Sequence, residues 1–568
     1  MISLNEHSNV KNEIIKLNKM TRLFSIIRLI MVFLVIVFMI CFLGYNNQLL
    51  YSLLCIFLII GIFLLNHFTN PFYRRLKFNK SLDYIYNRHI NRRNNNYRTF
   101  SPNGKEFIDY NDYKTLDLDI LGPRSIYQYL CVAKSYGGRK KLAELLTKGN
   151  KNPKMKNLVV ELADSKDSLL LEAAINNLDY NNSIKDQELI DVTTKSPKIS
   201  KIGLCLMFIS IISMILFIVF GIIYKWNLLY VLIFLPINFI ISYKFGNNEI
   251  FSIDSTKYSL MLEDYINLVD DIKNINIVDD FYTEIKEYLL EDYKNLINLH
   301  NIFEMLSYRR NFIFNILGNS LLFFNFICIG LFNRLKKNSR DLTKTINYIN
   351  DLECALSLSI IGLDNECWCK GNEGPTFNIV EGYHPLIQKC ISNDFILKKG
   401  VVLTGSNMAG KTTFMRMLGI NQILHSAGGI VCATSFTTPF NQVYTSLRIV
   451  DELSMGISSF YAEINKMKHI IENANQNSLV LIDEIFKGTN AKDRIYSAKK
   501  VIEKLNLMNV LFIITTHDFE ICDTENIINY HFMEEYEEEK IKFDYKIKNG
   551  RCNKSNALYL LKMAKVIE

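Results

Sequence analysis

Proline and glycine are scarce, with 9 and 25 residues in a chain of 568. Collagen-like repeats and proline-rich linkers need them in quantity, so both are excluded. Charged residues make up 21% and apolar residues 49%. A disordered chain needs the opposite balance. The 12 cysteines follow no regular spacing. No disulfide framework is expected, and they read as free thiols of a reducing compartment. Cys367-Trp368-Cys369 lacks the spacing of a metal site. A net charge of +8 is small for this length and does not by itself argue for nucleic acid.

The most informative absence is local. No Lys, Arg, Asp or Glu occurs between Arg28 and Arg74. The run divides at Gly44-Tyr45-Asn46-Asn47-Gln48 into Phe24–Leu43 and Leu49–Leu65, each near the ~20 residues that cross a bilayer. Ile202–Tyr224 and Trp226–Tyr243 form a second uncharged pair around Lys225. Basic residues flank the first pair: Lys11, Lys16, Lys19 and Arg22 before it, Arg74, Arg75, Lys77 and Lys80 after it. The positive-inside bias therefore predicts two hairpins dipping from the cytoplasm, four spans in all, with both termini inside. A fifth apolar stretch, Phe312–Phe332, contains Asn315, Asn319, Ser320 and Asn325. These are costly in hydrocarbon, so it is expected to be a buried or interfacial helix. The basic segment Arg74–Arg98 is expected to be a loop. It suits anionic lipid beside a span, or a phosphate backbone through its interleaved tyrosines.

Near residue 400 the texture changes. Val401-Val402-Leu403 reads as a strand and leads into Thr404-Gly405-Ser406-Asn407-Met408-Ala409-Gly410-Lys411-Thr412-Thr413. This is the G-x-x-x-x-G-K-[ST] pattern between a strand and an amphipathic helix. Its backbone N–H groups, from Gly405 to Thr413, would face phosphate oxygens. Lys411 would reach the β- and γ-phosphates, and Thr412 would ligate Mg²⁺. Leu479–Ile482 reads as a buried strand ending in Asp483-Glu484. Asp483 fits the Mg²⁺ shell, and Glu484 fits a base or water-orienting role in ATP hydrolysis. A third strand, Leu511–Ile514, ends in Thr515-Thr516-His517. His517 could bond the γ-phosphate or the attacking water.

Together these motifs resemble the MutS family, the ATPases of mismatch repair and their relatives. TGSNMAGKTT is similar to that family's TGPNMGGKST, LVLIDEIFKGTN to its DEIGRGT stretch, and TTHDFE to THYFEL. Asp451–Ile464 resembles D-x-L-x-x-G-x-S-T-F-x-x-E-M. In the family this segment faces the nucleotide of the other subunit, so the resemblance implies a homodimer with Gly456 and Ser458 acting in trans. Tyr383-His384-Pro385 and Ile391–Asp394 resemble the lead-in bordering the adenine, and Gly550–Ala557 resembles the closing motif. Thr115–Asp119 and Tyr127–Leu145 loosely resemble the start of the family's helical core. The family implies DNA as a ligand. The mismatch-reading Phe-x-Glu wedge is absent from the first 110 residues, and a membrane hairpin stands where the DNA clamp belongs.

The expected organisation is an α/β P-loop (ABC-like) ATPase domain at the C-terminus, preceded by an α-helical core and lever region with two transmembrane hairpins. The segments are 1–100 (hairpin and basic loop), 101–200 (core), 201–245 (second hairpin), 246–365 (core and lever) and 366–568 (ATPase). Within the lever, Leu260, Tyr265, Leu268 and Ile272 are spaced for packing. Glu534–Glu539 reads as a solvated hairpin tip. The expected activity is Mg²⁺-dependent ATP hydrolysis at composite dimer sites of a membrane-anchored protein, coupled to mismatched, damaged or branched DNA. An ATP-driven membrane remodelling or assembly protein is the alternative. A transporter is weaker, since the hairpins offer few polar groups.

Overall fold

In the computed structural model two long helices, α1 (Leu4–Gly44) and α2 (Gln48–Arg93), lie antiparallel along their length. The structure describes residues 4–44, 48–150, 152–178, 186–194, 201–245, 254–308, 311–322, 330, 342–406, 409–448, 459–486, 489–537 and 540–552. At ~1.5 Å per residue α2 is about 70 Å long, against the ~30 Å of a hydrocarbon core. Its polar half pairs with that of α1: His7 Nε2 lies 2.7 Å from Asp83, and Arg75 lies 3.1 Å from Glu13.

The expected basic loop is thus a correction: residues 74–93 continue α2. No glycine or proline interrupts the helix between Arg74 and Arg93, and it ends at Asn94-Asn95-Asn96, where Asn95 takes φ 60°. This end of α2 is docked in protein, with Arg88, His89 and Arg92 all buried.

The core that receives it follows as α3 (Tyr113–Asp117), α4 (Ile126–Leu130), α5 (Tyr136–Lys148), α6 (Pro153–Asp164), α7 (Ser168–Asn176) and α8 (Asp186–Thr194). The second apolar pair comprises α9 (Lys201–Ile223), a 3-10 segment Leu228–Ile233, and α10 (Phe234–Phe245). Its second arm is not one continuous α-helix. Pro236 has no N–H to donate and its ring crowds the preceding turn, so it sits in the first turn of a new helix. Among the described residues, three helices (Glu6–Gly44, Leu49–Arg93 and Lys201–Ile223) are long and apolar enough to cross a membrane. Leu229–Lys244 is apolar but shorter.

Next come α11 (Ser255–Ile272), α12 (Asp280–Ser307), α13 (Phe312–Ser320) and α14 (Leu342–Asp364). On α11 Tyr265, Leu268 and Ile272 are buried, whereas Leu260 is 47% exposed. From the fifth apolar stretch, α13 packs on α10, and Ser242 Oγ donates to Asn319 Oδ1 at 2.7 Å. Residues 323–329, 331 and 332 of that stretch, Asn325 among them, lie outside the described residues. Nearly all of α14 is buried, against α5, α6 and α12.

Past α14 the chain becomes α/β. Strands β1 (Asn372–Glu373), β2 (Phe377–Gly382), β3 (Asn393–Leu397), β4 (Gly400–Thr404) and β5 (Ser435–Thr438) include a four-stranded sheet ordered β1-β5-β2-β3. Then come β6 (Gln442–Ser446), β7 (Ser478–Asp483), β8 (Leu511–Thr515), β9 (Ile527–His531), β10 (Glu534–Glu537), β11 (Lys540–Phe543) and β12 (Lys548–Asn549). The main sheet runs β12-β9-β4-β8-β7-β6, parallel except at β12. Helices α15 (Lys411–Ser426), α16 (Ser459–Asn473) and α17 (Ala491–Leu507) accompany it. Every residue of β4 and all of β7 but Asp483 are buried, as parallel strands covered on both faces require. Within the acidic run Glu534–Glu537 form strand β10 of the β10–β11 hairpin, and Glu534 is buried, while residues 538 and 539 lie outside the described residues.

Candidate nucleotide-binding site

Parallel strands gather their carboxyl ends on one edge, where ligands bind in open α/β sheets. Here β4, β7 and β8 are adjacent, so the residues that follow them meet. Gly405 leaves β4 with φ 138°, and a Cβ there would lie 2.6 Å from the Phe532 carbonyl oxygen. Only glycine fits that turn. Gly410 has φ 100° and caps α15, which aims its free N–H groups into the loop. Ala409 is buried between them. Ser406 Oγ donates to Glu534 Oε2 at 2.8 Å. Thr413 is exposed on the first turn of α15.

Lys411 is buried, and its Nζ donates to the carbonyls of Gly405 and Ser406 at 2.6 and 2.9 Å. The ammonium thus lies inside the loop that would wrap a phosphate. Thr412 Oγ1 donates to Asp483 Oδ2 at 2.8 Å. A hydroxyl and a carboxylate from adjacent elements form a hard-oxygen donor set that suits Mg²⁺. Thr515 completes this corner. Its hydroxyl donates to Asp483 Oδ1 at 2.5 Å and accepts from the Glu484 N–H at 3.0 Å. Glu484 takes φ 55°, which turns its side chain off the strand line. His517 Nε2 stands 3.0 Å from Glu484 Oε1. Lys411, Thr412, Asp483, Glu484 and His517 are therefore brought together. Asn407, Met408 and Ser458 lie outside the described residues, as do Gly456 and the closing motif from Asn553 onward.

A pocket of about 510 Å³ opens beside the loop, lined among others by Lys389, Ile391, Thr413, Phe414, Phe532 and Tyr545. Asn393 ties its walls together: Nδ2 donates to the Tyr545 carbonyl at 3.0 Å and Oδ1 accepts from the Ile547 N–H at 2.9 Å. His384 lies deeper. Burial, with Arg416 nearby, lowers its pKa to about 4, so it is neutral at pH 7. Its Nδ1 accepts from the Leu386 N–H and fixes the turn before the pocket.

The site is braced from the helical core. Asp117 is buried and accepts from Thr445 Oγ1, the Leu447 N–H and the Arg448 N–H at 2.9, 2.9 and 3.2 Å. Asp119 pairs with Arg416 on α15 at 3.1 Å and with Arg448 at 2.6 Å. Sequence reading alone missed Thr515, Tyr545, Asp117 and Asp119 as site residues. The first two stand near motifs, but their partners lie on other elements.

Residues 401–568 match the family model of MutS domain V, which gives this ATPase-type α/β domain a MutS-family relationship.

Proposed function

We propose that this protein is a membrane-anchored, MutS-like ATPase. MutS family members are ATPases that use ATP with Mg²⁺, act as dimers and bind DNA. The carrying observation is the contact of Thr412 with Asp483 beside Lys411, Glu484 and His517. In this reading Lys411 binds the β- and γ-phosphates, and Thr412 and Asp483 hold Mg²⁺. Glu484 orients water, and His517 bonds the γ-phosphate. Ser458 serves the nucleotide of a second copy, so the working unit is a homodimer with two composite sites. The membrane part uses α1, α2, α9 and Leu229–Lys244 as four spans, with the ATPase domain and both termini in the cytoplasm.

Nucleotide-driven change would pass to the bilayer along α2. Its last residue, Arg93, contacts both Asp364 at the end of α14 and the Leu363 carbonyl. One observation favours the alternative of ATP-driven membrane remodelling over DNA sensing. Four cations of the basic segment are engaged within the protein: Arg74 with Asp270, Arg75 with Glu13, Arg88 with the Cys131 carbonyl and Arg92 with the Tyr129 carbonyl.

ATP hydrolysis by the detergent-solubilised protein tests the reading, with Glu484→Gln as the blank. It should be run alone and with homoduplex, mismatched, branched and single-stranded DNA. Stimulation by one DNA form that weakens with salt identifies a DNA sensor. Turnover indifferent to all of them supports membrane remodelling. No turnover above the blank overturns the ATPase assignment.

A further inference from the structure

Arg494, on the second turn of α17, bears on the site without touching the phosphate loop. Its guanidinium takes both oxygens of Asp518, with Nε donating to Oδ2 at 2.7 Å and Nη2 to Oδ1 at 3.0 Å. The side chains are 29% and 18% exposed. A planar fork on a planar carboxylate fixes orientation as well as distance. Asp518 immediately follows His517. On the other side of His517, the Thr516 N–H donates to the Leu403 carbonyl of β4, and Thr516 Oγ1 accepts from the Asp518 N–H. The peptide carrying His517 is therefore pinned to the phosphate-loop strand at one end and to α17 at the other. Between them His517 meets Glu484. The carboxylates of Asp518 and Glu484 both favour the Arg494 cation. The family stretch resembled by this segment carries tyrosine at the Asp518 position, so the fork is a departure from that pattern.

We propose that Arg494 is a positioning residue for ATP hydrolysis, holding His517 against Glu484 through its fork on Asp518 and neutralising Asp518 beside the attacking water. The proposal rests on the ATPase reading above. Without Arg494 the His517 peptide loses one anchor. An uncompensated carboxylate is then left one residue from His517, and its negative potential favours protonated forms nearby and repels an incoming phosphate.

The test uses full-length protein in detergent, comparing Arg494→Ala, Arg494→Lys, Asp518→Asn and the Arg494→Ala/Asp518→Asn pair. Affinity for a fluorescent ATP analogue, kcat, the pH dependence of kcat and Tm are read for each. Arg494→Ala should lower kcat about tenfold or more while analogue affinity stays within about twofold, since positioning acts on turnover rather than binding. Its kcat–pH midpoint should move to higher pH. Asp518→Asn in the same background should return the midpoint, and Arg494→Lys should restore the midpoint but not the full kcat. Wild-type kcat in Arg494→Ala overturns the proposal. So does a lower kcat with lower Tm and an unmoved midpoint, which would make the pair a structural contact. Absence of wild-type turnover overturns the ATPase reading and this role with it.

Discussion

His89 Nδ1 stands 2.8 Å from Asp364 Oδ1, joining the far end of α2 to the last residue of α14. Its other nitrogen lies 2.8 Å from Glu172 on α7, and all three side chains are almost fully buried. His89 lies well beyond the apolar run of α2. Burial pulls its pKa down, but Asp364 and then Glu172 outweigh that and hold it raised to about 9. Burial favours the neutral acid of Glu172, yet His89 and Arg92 hold its pKa lowered to about 2. His89 and Glu172 are thus both ionised at neutral pH, and the cluster fixes the stalk to the threshold of the nucleotide domain.

A pH dependence follows. His89 has a folded pKa above its ordinary value of 6.5. Its stabilising contribution is full below that ordinary value and is lost as pH rises through about 9. Tm of the solubilised protein should therefore fall between these limits. His89→Gln should be less stable at pH 6.5 and show a flatter decline. Parallel pH profiles for the two proteins would remove His89 from the account.

The Mg²⁺ corner predicts a separation of effects. Lys411→Ala removes the only cation that the structure sets within the loop among the described residues, and should abolish nucleotide binding or hydrolysis. Thr412→Ala and Asp483→Asn should bind nucleotide more weakly in Mg²⁺ than wild type and lose turnover by about a hundredfold or more. In EDTA their affinities should approach that of wild type. Equal turnover in Lys411→Ala and wild type would refute the site.

The phosphate loop and its two strand-end partners are legible in the sequence because each is a contiguous pattern. Gly405 and Gly410 mark positive φ, and Leu479–Ile482 and Leu511–Ile514 read as buried strands without any knowledge of neighbours. Asp117 is not legible as a brace, because its partner Thr445 stands 328 residues away. The same holds for Thr515 on Asp483, which register across the sheet brings together, and for Arg494 on Asp518, where a helix meets the segment that follows β8. Arg88 and Arg92 read as surface cations because charge usually marks solvent. Their burial follows from the helix running on past the apolar segment into the acidic pocket of Glu172 and Asp364.

Glu484→Gln retains the side-chain shape and its backbone bond to Thr515 but loses the carboxylate facing His517. It should bind ATP and turn it over about a hundredfold or more slowly. If the sites are composite, the trapped state is a dimer. Light scattering should give twice the monomer protein mass with ATP and the single-chain mass with ADP. A monomer under both conditions would sink the composite site while leaving the ATPase assignment standing.

Asp117 tests how far the core and nucleotide domain act as one body. Its carboxylate receives the Leu447 and Arg448 N–H groups and the Thr445 hydroxyl, with Lys466 Nζ at 3.5 Å. Asp117→Ala strands these donors and leaves a buried ammonium without its counter-charge, a change of the kind that costs about 3–5 kcal/mol. Asp117→Asn keeps the volume and some acceptor capacity, so it should cost less. The loss should appear as one transition shifted to lower temperature, because a single apolar core runs from Leu118 and Ile120 of the helical region to Leu418, Val443 and Leu447 of the nucleotide domain. A split melting profile, with a nucleotide-dependent transition parting from the rest, would mean that Asp117 rather than this shared core binds the two parts together.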